Sequence, residues 1–216
     1  MQHPVRWDPE LELETLADLG EAMRAEEREP LVELTILSDH KEPLSCIEWQ
    51  RLRHQGYAPM NTLEAQNDGF ALYRCGTLGW LSRALPAKTS YLDHISWDGS
   101  VLELLPPTLS SAMDDAMAEA ADRALANGQS WAQFDPRAKA KKAVGPIGAD
   151  VTEGKGKGLT RLRPTAWGDF NQDSLADVVV FVVNTDRLGP FADYRLVLLT
   201  RRTADGPLEL VETWSP

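Results

Sequence analysis

The pattern of hydrophobic and polar residues in the first part of the chain predicts two helices around a short strand. Residues 8–28 carry leucines at helical spacing, which gives a helix with one apolar face. Residues 31–37, LVELTIL, alternate well enough to predict a strand. Residues 43–55 predict a second helix, which Gly56 ends.

The middle of the chain predicts more sheet and then a helix. FALYRC at residues 70–75 follows an Asn-Asp-Gly turn signal and is predicted to be a strand. Two alternating runs flank Asp98-Gly99 and predict a hairpin, because both positions of a two-residue type I′ turn need positive φ. A helix is then predicted to start at residue 110 or 111 and to end at Gly128.

The C-terminal part predicts an antiparallel β-meander, which gives the whole chain an α+β fold. Four apolar stretches separated by turn signals follow one another in residues 159–216. Residues 135–158 are rich in Gly, Pro and Lys and predict a flexible basic loop or linker. The chain then divides into an α+β region at 1–134 and the meander at 159–216, or it forms one single domain.

The charge of the chain points to a basic protein as its partner. The 216 residues carry a net charge of −11, and residues 1–30 hold nine Asp or Glu against three Arg. Such a surface disfavours nucleic acid and anionic membranes as partners, since both need cations. The longest apolar run, residues 178–183, is far short of the ~20 residues that cross a bilayer, so no membrane span is expected. The sequence leaves the oligomeric state open.

The compartment is not fixed by the sequence. The first residues, MQHPVRWDPELELE, lack a basic segment followed by an apolar stretch and do not form a secretory signal. The protein is therefore expected to be cytoplasmic if the chain is complete, and periplasmic if a signal peptide was removed. Cys46 and Cys75 both lie in apolar surroundings and are either two buried thiols or one disulfide.

One segment carries recognisable chemistry, the pattern D-x-N-x-D-S-x-x-D that starts at Asp169. Oxygen donors on alternate residues of a tight loop can converge on a hard cation such as Ca²⁺. The predicted donors are the side chains and the one backbone carbonyl of Asp169, Asn171, Asp173, Leu175 and Asp177. An EF-hand is excluded, because Val180 stands where the bidentate Glu is required and a β-branched run follows.

The stretch GDFNQDSLADVVV, residues 168–180, resembles the calcium-binding segment of FG-GAP (integrin-type) repeats. The resemblance implies a structural calcium site formed by the same five residues. Propellers need several copies and this chain has one, so the propeller fold does not carry over. Ser174 stands where Gly is usual, which costs on the order of 1 kcal/mol if that position needs positive φ. The alternative is a metal-free turn held by Asp and Asn side chains that accept from backbone amides.

Signatures of catalysis are missing from the sequence, so a non-enzymatic protein is expected. GKGKGLT at residues 154–160 lacks the spacing of a P-loop, and the four histidines lack paired ligand spacing. The first functional hypothesis is a bacterial inhibitor or immunity-type protein that neutralises a basic toxin by surface binding. The second is a calcium-stabilised periplasmic or envelope protein of structural or unknown role.

Overall fold

The structure, a computed structural model, has the predicted α+β fold. It describes residues 2–27, 29–112, 114–143, 147–154, 158–186 and 192–214. Within these residues the helices precede a large antiparallel meander, and the strands close into neither a barrel nor a propeller. The strands are β1 Arg6–Trp7, β2 Leu34–Ile36, β3 Asp39–Lys41, β4 Lys139–Lys142, β5 Ala149–Thr152, β6 Gly158–Gly168, β7 Asp177–Asp186, β8 Ala192–Arg201 and β9 Leu208–Thr213.

Seven of these strands form one sheet in the order β4-β5-β6-β7-β8-β9, with β1 paired to β6. All neighbours are antiparallel. Strands β2 and β3 form a separate hairpin. The α-helices are α1 Leu19–Arg24, α2 Cys46–His54, α3 Thr62–Ala71, α4 Thr77–Leu81, α5 Asp115–Ala126 and α6 Trp131–Phe134. The predictions of α2 and α5 are confirmed.

Strand β7 lies in the middle of the sheet and is buried on both faces. Val179 and Phe181 pack into a core with α2 and α4. Val178, Val180 and Val182 pack into a second core with residues 92–109 and Trp131. Successive side chains of a strand point to opposite faces, so a strand covered on both faces needs an unbroken apolar run.

The predicted helix at 8–28 is wrong, because the chain breaks twice there. Residues Pro9–Leu11 and Leu16–Asp18 form 3₁₀ turns, and only α1 is α-helical. Glu12 has φ 53°, a left-handed conformation that ends the first turn. Thr15 then caps the second turn and forms a reciprocal capping box with Asp18.

The predicted strand at 70–75 is also wrong, because α3, a π-helical segment at Leu72–Gly76 and α4 follow one another without a break. Asn61 caps α3 through a hydrogen bond from the Glu64 amide. Gly69, predicted to mark a turn, lies inside α3 against β8. A Cβ there would come within 2.5 Å of the Tyr194 ring, so glycine permits the close approach of helix and sheet.

The predicted hairpin at Asp98-Gly99 is absent from the described residues. Asp98 instead caps a 3₁₀ helix at Gly99–Glu103, because its carboxylate accepts from the Ser100 amide at 3.0 Å. The segment 135–158, predicted as a flexible loop, contributes β4 and β5 to the sheet. Residues 144–146 and 155–157 of that segment lie outside the described residues.

A disulfide between Cys46 and Cys75 joins α2 to the π-helical segment, with the two Cα atoms 5.0 Å apart. Trp49 of α2 stacks on Trp214 at a ring separation of 5.4 Å, which connects this helix to the end of the chain. Helices of the described residues are all too short or too polar to cross a membrane.

Candidate functional site

The predicted cation loop connects the end of β6 to the start of β7 and is fastened to a second segment of the chain. The amide of Asp169 donates to the Leu85 carbonyl at 2.8 Å, and the Leu85 amide donates back at 3.0 Å. At the other end of the loop, the Ala176 amide donates to the Thr89 carbonyl at 2.8 Å. Both ends of the loop are therefore fixed by backbone hydrogen bonds.

All four predicted ligand side chains accept hydrogen bonds from amides of the same loop, and three of them do so within residues 169–175. The two carboxylate oxygens of Asp169 accept from the amides of Asp173 and Ser174, at 3.1 and 2.9 Å. Asn171 Oδ1 also accepts from the Asp173 amide, at 3.0 Å. Asp173 Oδ1 accepts from the Leu175 amide at 2.8 Å. These are the bonds expected of a self-supporting polar turn.

Asp177 differs from the other carboxylates of the loop. Its side chain is fully buried, and Oδ2 accepts from the Phe170 amide at 3.0 Å. Oδ1 has no hydrogen bond of good geometry among the described residues; the hydroxyl of Thr200, paired with Asp177 on the neighbouring strand, provides only a weak one to the carboxyl group. A buried acceptor without a partner is costly, and an ionised one more so.

The electrostatics of the loop disfavour the ionised form of Asp177. Burial is the largest cause and raises its pKa to about 6, while hydrogen bonds from the Phe170 amide and the Thr200 hydroxyl act in the opposite direction. Repulsion by Asp173 and Asp169 raises the pKa further. Arg202 provides a cation near the loop, with its Nη1 atom 3.6 Å from Asp173 Oδ2.

The structure brings all five predicted residues into one turn, but their oxygens are directed mainly at backbone amides. Among the described residues, no three His, Cys, Asp or Glu side chains form a group that could hold a metal ion. The donor set nevertheless fits a hard cation, because it consists of oxygens and leaves one buried carboxylate oxygen only weakly hydrogen-bonded. Ser174 has φ 72°, so this position adopts the left-handed conformation in which glycine would be unstrained.

A second buried carboxylate lies between β5 and β6. Glu153 accepts from the amide and hydroxyl of Ser111, each at 2.8 Å, and from the hydroxyl of Thr160 at 2.6 Å. Thr160 also lies 2.7 Å from Asn184 Oδ1. Both carboxylate oxygens of Glu153 accept hydrogen bonds from neutral donors. The role of Glu153 is therefore structural, within a polar network that fixes the neighbouring strands.

The acidic N-terminal segment separates into paired and unpaired carboxylates. Asp8 and Glu10 both bind Arg163, at 2.8 and 2.7 Å, and Tyr73 donates to Asp8 at 3.0 Å. Burial, the largest cause, raises the pKa of Tyr73 well above its usual range. Five further glutamates are exposed and have no ion pair within the described residues: Glu12, Glu14, Glu21, Glu26 and Glu29.

Sequence reasoning missed a groove that lies beside this acidic segment. The groove has a volume of about 770 Å³, and its lining includes Glu26, Glu29, Leu31 and Phe70. Phe70 is 74% exposed, although it lies on α3, which packs against the sheet through Gly69. The wrong prediction of a strand at 70–75 concealed this residue, since exposure on a helix depends on which face the helix buries.

Comparison with protein-family models, curated proteins and solved structures found no match to this chain.

Proposed function

We propose that the protein is a non-enzymatic binding protein of the inhibitor or immunity type, which binds a basic partner protein through its acidic surface. The observation that supports this proposal is the group of five exposed glutamates between residues 12 and 29 without ion pairs among the described residues. Unpaired surface carboxylates of one sign create a field that attracts a cationic partner and speeds its association.

The whole protein carries a net charge of −11, which adds to the negative electrostatic potential of these glutamates. An acidic protein of this size can cover the cationic active site of a toxin that acts on nucleic acid, and so exclude its substrate. The proposal needs no catalytic group on this chain, because inhibition of this kind requires only a complementary surface.

Association kinetics test the proposal directly. Basic proteins encoded beside this gene are mixed with the protein, and the association rate constant is measured at 50 and 500 mM salt. We expect the rate to fall by at least about tenfold, because salt screens the attraction between exposed charges. The triple variant Glu12→Gln, Glu14→Gln, Glu21→Gln should bind more slowly than the wild type at low salt.

The matched control removes three exposed acidic groups elsewhere: Glu103→Gln, Asp122→Asn and Asp205→Asn. This control makes the net charge of −11 less negative by the same three charges, so a specific role for the N-terminal glutamates predicts a smaller effect. If none of the co-encoded proteins binds, or if binding is independent of salt, the proposal is wrong.

A second candidate function is a calcium-stabilised periplasmic or envelope protein. Two observations favour it, the weakly hydrogen-bonded Oδ1 of buried Asp177 and the Cys46–Cys75 disulfide. Disulfides persist in oxidising compartments. Ca²⁺ would be held by Asp169, Asn171, Asp173, the backbone carbonyl of Leu175 and Asp177. Three carboxylates around one divalent cation would no longer repel one another.

Thermal unfolding in calcium and in chelator tests this second candidate. Saturation at one hundred times Kd stabilises a protein by about 2.7 kcal/mol, so Tm should rise measurably with calcium. Mg²⁺ should have a smaller effect, because it demands stricter octahedral geometry. Asp177→Asn should abolish the calcium response without lowering Tm in chelator, since it removes an unpaired buried charge.

Asp205→Asn, on the exposed β8–β9 turn, is the control and should retain the calcium response. Equal melting temperatures of the wild type in calcium and in chelator would contradict the proposed calcium site. If, in chelator, the melting temperature of Asp177→Asn is much lower than that of the wild type, the Asp177 carboxylate stabilises a turn that needs no metal.

A further inference from the structure

The outward face of α3 displays large apolar side chains that the fold leaves uncovered. Leu63 is 67% exposed and Phe70 is 74% exposed. They are seven residues apart, two helical turns, and therefore lie on the same side of the helix. Met60, just before the helix, is also mostly exposed. Isolated apolar residues are common on surfaces, but a row of them beside a groove marks an interaction site.

The walls of the groove next to Phe70 carry negative charge. Glu26 and Glu29 line the groove and are exposed, and neither has an ion pair among the described residues. Glu27 and Arg74 also line it and are bound to each other, which leaves the charges of Glu26 and Glu29 unbalanced among the described lining residues. Pro30 and Leu31 provide further apolar surface. The groove thus combines an exposed aromatic ring with carboxylates that are available to a cation.

Glu27 and Leu31, which line the groove, are each fixed by a backbone hydrogen bond. The Glu27 amide donates to the Leu44 carbonyl at 2.7 Å, and the Leu31 amide donates to the Pro43 carbonyl at 2.9 Å. The ion pair with Arg74 connects the segment to the helical layer on the other side of the groove. A preformed groove loses little conformational entropy when it binds.

We propose that this groove, lined by Glu26, Glu29, Leu31 and Phe70, is the docking site for a basic segment of the partner protein. The inference rests on the proposed function, which it deepens by locating the contact. An arginine or lysine side chain would lie over the ring of Phe70 and pair with Glu26 or Glu29. An apolar neighbour in the partner segment would cover Leu63 and Leu31. In protein interfaces, buried aromatic residues typically contribute most of the binding free energy, and polar or charged residues form the rim around them.

The test uses the full chain and a synthetic peptide, acetyl-Arg-Leu-Arg-Leu-Arg-Leu-amide, with the Glu-Leu repeat of equal length as the negative control. We expect amide chemical shifts to change at residues 26–31 and 63–74 when the basic peptide is added. Phe70→Ala should weaken binding about five- to tenfold, as expected for loss of a cation–π contact together with apolar contact. The double variant Glu26→Gln, Glu29→Gln should weaken it and reduce its salt dependence.

Leu125→Ala is the matched control, because it removes an exposed apolar side chain from a different helix. It should leave the affinity for the peptide unchanged. Melting curves of all variants should overlap with that of the wild type, since each substituted side chain is exposed.

The other outcomes separate the docking site from the proposed function. If the peptide binds but Phe70→Ala and the double glutamate variant bind it equally well, the groove is wrong while an acidic binding surface stands. If the peptide does not bind even at low salt, both the groove and the basic partner are contradicted. A wild-type dimer that Phe70→Ala dissociates would assign the groove to a second copy of the chain and overturn the proposal.

Discussion

The helical layer at residues 46–81 and the central strands at residues 158–201 are held together in different ways. The strands form long antiparallel ladders, and β7 is buried on both faces from Asp177 to Val182. The helical layer packs its buried side chains into one core with the sheet and adds three individual contacts: the Cys46–Cys75 disulfide, the bond from Trp49 Nε1 to Asp68 and the close approach of Gly69 to Tyr194. Stability spread over many equivalent contacts tolerates single changes better than stability that depends on a few.

The largest expected effect comes from breaking the covalent link of the helical layer. The double variant Cys46→Ala, Cys75→Ala releases a loop with a sequence separation of 29 residues. Chain entropy predicts a loss of about 3–4 kcal/mol in the free energy of unfolding. Urea denaturation of the variant and of the oxidised wild type measures this difference.

A variant as stable as the wild type would show that α2 and the π-helical segment are held by packing alone. The double Ala variant has no disulfide to reduce, so the urea concentration at its unfolding midpoint should not change when dithiothreitol is added. The wild-type midpoint should respond.

The second effect tests the contact between the helical layer and the sheet. Gly69→Ala places a Cβ 2.5 Å from the Tyr194 ring, so the ring or the helix must move. Overpacking of this kind costs about 1–3 kcal/mol, partly offset by the better helix propensity of alanine. Thermal unfolding should show a lower Tm.

Gly20→Ala in α1 is the control for Gly69→Ala. Its nearest neighbour is the flexible end of Arg24, which can move away, so the variant should gain about 0.5–1 kcal/mol from helix propensity. Equal stabilisation by both substitutions would mean that Gly69 does not set the distance between helix and sheet.

The third effect concerns the loop that leads into β7. Ser174 has φ 72°, where glycine is unstrained, so Ser174→Gly should raise the free energy of unfolding by about 1 kcal/mol. Ser82→Gly is the control, because Ser82 has φ −63° and should lose stability on the same substitution. Guanidinium denaturation compares the two, and a destabilised Ser174→Gly variant would contradict the prediction.

The smallest effect concerns the segment between the two regions. Hydrogen bonds from Ser96 and Ser100 lower the pKa of Asp98 from 3.8 to about 2. The folded pKa lies below the ordinary value, so the ionised cap stabilises the fold above about pH 4 and loses this contribution as the pH falls towards 2. Carbon-detected NMR of the Asp98 carboxyl group should give a midpoint near 2. Ser96→Ala should raise that midpoint, and an Asp98 midpoint near 4 in the wild type would show that the cap is not formed.

The sequence predicted those parts of the molecule that depend on local pattern. The apolar run at residues 178–183 predicted a buried central strand, because both faces of β7 are covered. The helices α2 and α5 were predicted from apolar residues at helical spacing and from Gly56 and Gly128 after their ends, but their starts were placed too early, because the N-caps Ser45 and Asp114 were not recognised. Asp98 was misassigned because Asp-Gly suits both a tight turn and a helix cap, and tertiary context decides between them.

The candidate sites were predictable to different degrees. The spacing from Asp169 to Asp177 placed five oxygen donors in one turn, but which oxygen remains unsatisfied depends on burial by strands far away in sequence. The exposure of Phe70 depends on Gly69 facing Tyr194, a contact between distant positions of the chain. No local pattern contains that information.

The pairing of β1 with β6 has a consequence for the order in which the protein folds. Arg6 and Trp7 pair with Trp167 and Ala166, and Trp49 stacks on Trp214. During synthesis, the N-terminal residues therefore emerge long before the segments that cover them. Contacts of such wide sequence separation form slowly, because a long loop must close before they contribute. The helical layer can form its disulfide early. Its apolar side, however, stays uncovered until the last strands have been synthesised. A chain whose synthesis stops before β6 would therefore expose an apolar surface that can aggregate.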